Sequence, residues 1–178
     1  GDALGAPHEF TRKLEYTGKL EHGTIMNTQF QGKKQLAVGQ VTDDSEMTLS
    51  LLRTMIQDGG YNSDNVLMSY ISWANSGGWM LGKNTRALLK GIKTLKGYHN
   101  RMAKILASPI EGRSQSNGTL MRCAPLALLQ DDEIILQDVL LTNPNPVNQD
   151  CGLVYVKGLR LALQGYDGPT IYQTIKRS

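Results

Sequence analysis

The stretch TDDSEMTLSLLRTMIQDGG, residues 42–60, sets the reading of the whole chain. From Asp43 to Asp58 it places Met47, Leu51, Leu52, Met55 and Ile56 on one face at helical spacing. Thr42 stands where a helix N-cap is preferred, and Gly59-Gly60 where a helix stops. The same pattern recurs downstream. A second helix is expected from 63 to 75, burying Val66, Leu67, Tyr70, Ile71 and Ala74 and ending at Gly77-Gly78. A third is expected to start at Asn84, set Leu88, Ile92 and Leu95 against Arg86, Lys90 and Lys93, and end at Gly97. Further helices are expected at 100–107, 119–130, 132–141, 147–164 and 170–176, with Pro169 in or just before a first turn. Strand-like alternation is confined to the stretch from Leu20 to Val41. The fold class is therefore all-α.

Composition narrows the function classes. The 178 residues carry 19 Lys+Arg against 16 Asp+Glu, with 40% hydrophobic residues, which suits one domain with a real core and argues against disorder. The longest apolar run, Cys123 to Leu129, holds Pro125 and is far too short for a membrane span, which needs about 20 residues. Two cysteines, Cys123 and Cys151, do not make a disulfide scaffold, so a reducing, cytoplasmic setting is expected. No leader segment is legible at the start, where residue 1 is Gly. Between Lys83 and Arg113 eight basic residues face Glu111 alone. Such a run can face phosphates, but a solvated helix face is the preferred reading.

Three strings carry chemistry. In the first, Asp43 and Asp44 stand side by side at a helix start, where the local dipole favours anions. They read either as first-turn acids behind a Thr42 cap or, with the Thr42 hydroxyl, as oxygen ligands for a hard cation. In the second, GDALGAPHEF at residues 1–10, Glu9 follows Pro7 at a helix break and reads as an acid, base or metal ligand, or as an exposed loop carboxylate. In the third, Ser116-Asn117-Gly118-Thr119 leads into a helix, and its free amides suit an anion unless it is an ordinary capped loop. Cys123 reads as a small core residue. His8, His22 and His99 are not spaced as a metal pair, so zinc is not expected. No nucleophile motif and no phosphate-binding glycine motif after a strand is present.

Taken in order, GDALGAPHEF, GQVTDDSEMTLSLL and SNGTLMRCAPLALL resemble the ADP-ribosylglycohydrolase family, as do Trp73-Ala74-Asn75-Ser76 and Gly82-Lys83-Asn84-Thr85-Arg86. The resemblance implies a compact orthogonal multi-helix bundle with a binuclear Mg²⁺ (or Mn²⁺) site. It implies hydrolysis at the anomeric carbon of ADP-ribose. The ADP-ribose would leave a modified protein side chain or a small molecule, with no membrane and no specific nucleic acid as partner. By that likeness Thr42, Asp43 and Asp44 hold metal, and Glu9, Asp43 and Asp44 form the catalytic set. Ser116, Asn117, Gly118, Thr119 and Asn143 would bind substrate. A monomer is expected.

The departures are specific. Many members carry an Asp-x-Asp-Thr/Ser string towards the C-terminus, and this chain has none; its nearest acidic cluster, Asp131-Asp132-Glu133, reads as a helix start. Asn143 stands where many members have a His, and Met80 where many have an acid. The chain is accordingly expected to be a single domain, incomplete at both ends. The alternative is a non-catalytic ADP-ribose binder or a structural, crystallin-like homologue.

Overall fold

The structure is a computed structural model that describes residues 1–6, 37, 39–77 and 80–176. Glu9, His8, His22 and most of the strand-like stretch lie outside the described residues. Among the described residues the regular elements are all helical: α1 (Asp2–Gly5), α2 (Asp43–Asp58), α3 (Ser63–Asn75), α4 (Lys83–Leu89), α5 (Leu95–Leu106), α6 (Asp132–Leu140), α7 (Pro146–Leu163) and α8 (Gly168–Lys176). Two 3₁₀ turns, Ile110–Gly112 and Ala124–Leu128, join them. No described helix is long and apolar enough to cross a membrane.

The helix boundaries follow from side-chain chemistry. Asn62, Thr94, Asp131 and Asn145 each accept a hydrogen bond from a first-turn amide of the helix they precede. Gly59 ends α2 in the left-handed region at φ 66°, with the Gly60 amide bonded back to the Met55 carbonyl. The expected buried face of α3 is realised in full, and Met47, Leu51 and Met55 of α2 pack against it. Ile56 departs from the expected face and is 70% exposed.

Two expected helices are corrected. The helix expected from Asn84 to Gly97 is two helices. Asn84 is not a cap, since Gly82 precedes α4. The chain leaves α4 at Lys90 in an extended conformation, turns at Gly91 (φ 77°) and restarts under the Thr94 hydroxyl, which caps the Gly97 amide. Leu88 and Ile92 are both buried, so the apolar spacing runs across a break it does not register. The helix expected at 119–130 is a turn over 117–122 followed by the 3₁₀ turn, because Pro125 removes a donor and its ring collides with the preceding turn.

Three cations of the basic run tie helix ends, while Lys83, Arg86, Lys93, Lys96 and Lys104 are exposed, as a solvated face requires. The Arg101 Nη1 lies 2.9–3.0 Å from the carbonyls of Ala87, Leu88 and Lys90 at the open end of α4. Lys90 Nζ donates to Ala74 O, and Arg113 donates to Leu106 O and Pro144 O. These cations stitch helix ends that lack partners of their own.

A fully buried ion pair sits at the centre. Arg122 Nη2 is 3.0 Å from Asp138 Oδ2, with both side chains at 0% exposure. Tyr70 OH donates to Asp138 Oδ1 and accepts from Arg122 Nε, so α3, α6 and the end of the 117–122 turn meet in one network. Burial opposes the guanidinium charge, but Asp138 and Tyr70 outweigh it and hold the Arg122 pKa above its ordinary value. The Tyr70 hydroxyl is raised well above its ordinary pKa, first by burial and then by Asp138. The neighbouring Cys123 thiol is pushed up to about 12 by the same two causes, whereas Cys151 is exposed on α7. Removing one partner, as in Asp138→Ala, leaves a buried charge unpaired and should cost about 3–5 kcal/mol in a urea titration. At the α6–α7 contact a Cβ on Gly152 would lie 2.8 Å from Val139 Cγ2, so Gly152→Ala should cost about 1–3 kcal/mol by the same measurement.

Candidate functional site

The start of α2 is held from outside its own sequence. Thr42 is the residue before the helix, but its side chain makes no cap bond. Instead the Asp2 carboxylate takes that role. Asp2 Oδ2 accepts from the amides of Thr42 (2.9 Å) and Ser45 (3.1 Å), and Oδ1 accepts from the Thr42 hydroxyl (2.7 Å). Burial acts to raise the Asp2 pKa, and the hydrogen bonds from Ser45 and Thr42 overcome it, so the net shift is downward. Asp43 and Asp44 follow in the first turn, Asp43 buried and Asp44 half-buried. Asp44 titrates above its ordinary value, mainly through burial and next through the nearby Asp2 charge.

Asp43 and Asp44 open into a cavity of about 370 Å³. Ser116, Asn117 and Gly118 line it too, so the two strings singled out in the sequence meet at one space. The Thr48 hydroxyl of α2 approaches the Met121 carbonyl at 3.2 Å and ties these walls together. Lys83 and Thr85 of α4 complete a third side. Met80 also lines the cavity, with φ 57° in a region that non-glycine residues seldom occupy.

The other expected site residues lie behind this surface. Thr42 is buried under Asp2. Thr119 and Asn143 are fully buried, and their side chains bond each other at 3.2 Å. Glu46, part of the same acidic string, turns to a separate open cleft of about 570 Å³ between α2 and α3, where it accepts from Trp73 Nε1. Asp131 caps α6, and Asp132 pairs with Lys157 and Arg160 of α7, so this acidic cluster works as the helix start expected of it.

Sequence reasoning passed over several positions the site depends on. Asp2 lies in the first ten residues, where the motif points to Glu9 instead. Asn84 Nδ2 donates to Thr142 O and couples α4 to the loop behind the cavity. Asn75 bonds the Ile71 and Ile92 carbonyls and the Gly91 amide, which fixes the α4–α5 break. The Trp73-Ala74-Asn75-Ser76 string was the available signal for Asn75.

Among the described lining residues, Asp43 and Asp44 offer carboxylate oxygens, which suit a hard cation, and there is no His or Cys. Among the described residues no three His, Cys, Asp or Glu side chains converge closely enough to hold a metal ion.

A family model described as ADP-ribosylglycohydrolase matches residues 1–177. The chain belongs to the ADP-ribosylglycohydrolase family. Over 97% of its length it is 28% identical to a protein of Acanthamoeba polyphaga mimivirus provisionally named an ADP-ribosyl glycohydrolase, of which the match covers 55%. It is 31% identical to the ADP-ribosyl-dinitrogen reductase glycohydrolase of Rhodospirillum rubrum over 72% of this chain and 40% of that protein. The chain thus spans about half the length of these relatives.

The two carboxylates at the α2 start should respond to pH in opposite senses. Asp44 is raised above 3.8, so its contribution to stability is full below that pH and is lost as pH rises through its folded value. Asp44→Asn should therefore raise Tm at pH 7 in the absence of divalent cations, with the gain shrinking on acidification. Asp2 is lowered from 3.8, so its contribution is present above that pH and is lost as pH falls through its folded value. Asp2→Asn should lower Tm at pH 7. Thermal unfolding across the acid range checks both, and an unchanged Tm for Asp44→Asn would refute charge crowding at this turn.

Proposed function

We propose that the cavity holds ADP-ribose and that it is a cation-dependent ADP-ribosyl hydrolase centre to which Asp43 and Asp44 belong. The observation that carries the reading is the meeting of Asp43 and Asp44 with Ser116, Asn117 and Gly118 at one cavity. The reaction is hydrolysis at the anomeric carbon, through an oxocarbenium-like state that places positive charge on the ribose ring. Carboxylates beside the sugar favour that charge. Ser116, Asn117 and the amides that open the 117–122 turn offer donors to the diphosphate, with Lys83 at the rim as a counter-charge.

Asp43 and Asp44, with Thr42 behind them, would hold Mg²⁺ or Mn²⁺, and Glu9 belongs to the same expected set. The bound cation supplies a Lewis acid and a water of lowered pKa. The acceptor from which ADP-ribose is released is a protein side chain or a small molecule. The name of the Rhodospirillum rubrum relative, an enzyme for an ADP-ribosylated protein, supports the former.

The test incubates the chain with peptides ADP-ribosylated on arginine or serine, with Mg²⁺ or Mn²⁺, and measures free ADP-ribose by chromatography. Release is expected, and Asp43→Asn should reduce it by about a hundredfold or more with the helical circular dichroism retained. Binding of ADP-ribose without release would identify a binding module. The absence of both binding and release overturns the reading.

A further inference from the structure

Asn143 lies behind the cavity wall, fully buried, with both ends of its amide engaged. Its Oδ1 accepts from the hydroxyls of Thr119 (3.2 Å) and Thr142 (2.9 Å). Its Nδ2 lies 3.2 Å from the Ser116 carbonyl and 3.1 Å from the Ser116 hydroxyl oxygen. The amide orientation is fixed by chemistry, because a carbonyl only accepts and the nitrogen must face it. The Thr142 hydroxyl in turn accepts from Arg122 Nη1 at 2.7 Å. A guanidinium only donates, so every proton in the series points one way: from Arg122 to Thr142, from Thr142 to Asn143, from Asn143 to Ser116.

A second tie reaches the same turn. Arg122 Nη1 also donates to Gly118 O at 2.6 Å. The Ser116 carbonyl takes a further bond from Asn148 Nδ2 at 2.9 Å. Ser116 and Gly118 are thus held from behind while Asn117, between them, faces the cavity. The fit is tight, since a Cβ on Gly118 would come within 3.3 Å of Asn143 Oδ1. With two acceptor bonds and its donors turned to Ser116, the Asn143 amide has nothing left for a ligand.

We infer that Asn143 is a positioning residue: it latches the Ser116–Gly118 turn to the Arg122–Asp138 pair and so sets the ligand-facing geometry of the cavity wall without touching the ligand. This rests on the reading of the cavity as an ADP-ribose site, and it gives Asn143 a different part from the direct contact expected from the sequence. A buried amide that orients ligand-facing groups acts on affinity as outer-shell residues do, on the order of 10–100-fold.

The experiment pairs two measurements on Asn143→Ala. Titration calorimetry with ADP-ribose should show affinity weaker by about tenfold or more. Amide hydrogen exchange on the ligand-free protein should quicken at Asn117 and Gly118. Asn148→Ala, which removes the other donor to the same carbonyl, should show both effects at smaller size, and it carries the test if Asn143→Ala does not fold. Unchanged affinity in folded variants overturns the proposal. Weaker binding with unchanged exchange also overturns it, because that pattern marks a direct ligand contact. A wild-type chain that takes up no ADP-ribose overturns the functional reading and the latch with it, whereas the variant results, read against a binding wild type, concern the latch alone.

Discussion

The structure hangs on a guanidinium buried out of reach of water. Arg122 carries a charge at 0% exposure, and such burial is costly unless every donor is met. Here Asp138, Tyr70, Thr142 and the Gly118 carbonyl meet it. The partners come from α3, from α6 and from two loops that have no regular structure of their own. Without a common partner of fixed geometry, those loops would have no reason to lie together. The planar fork of arginine gives directions as well as charge, which a lysine in its place would not.

The opposite wall of the cavity is organised by a different device. A helix that opens with two adjacent aspartates gathers negative charge where its own dipole tolerates it. The dipole is aided by Asp2, which bonds the exposed amides of the first turn and the Thr42 hydroxyl. Asp2 thereby orders the turn and also adds to the charge that Asp44 resists. The site is thus strained electrostatically on one side and saturated with hydrogen bonds on the other.

Much of the fold was legible from spacing and caps. The helix from 63 to 75 is legible with its ends and its buried face, because Gly77-Gly78 and the apolar period agree, and the structure adds the Asn62 cap. The stretch after Asn84 was misread, because Leu88, Ile92 and Leu95 keep helical spacing across a break made by Gly91 and Thr94. The stretch after Thr119 was misread by giving apolar continuity more weight than Pro125. At the site, the aspartate doublet and the Ser-Asn-Gly turn were visible as motifs, and the structure joins them. Asp2 and Asp138 were not visible, since each acts on a partner distant in sequence, and local pattern does not record long-range pairing. The burial of Asn143 was hidden for the same reason.

The two cysteines have opposite fates in this arrangement. Cys123 is sealed beside the central charge network with its thiol pushed up to about 12, so it has almost no thiolate at neutral pH. Cys151 stands exposed on α7, one residue before the glycine that lets α7 approach α6. A maleimide dye added to the folded chain would therefore settle at a single address, giving an optical reporter on α7 without any engineered residue.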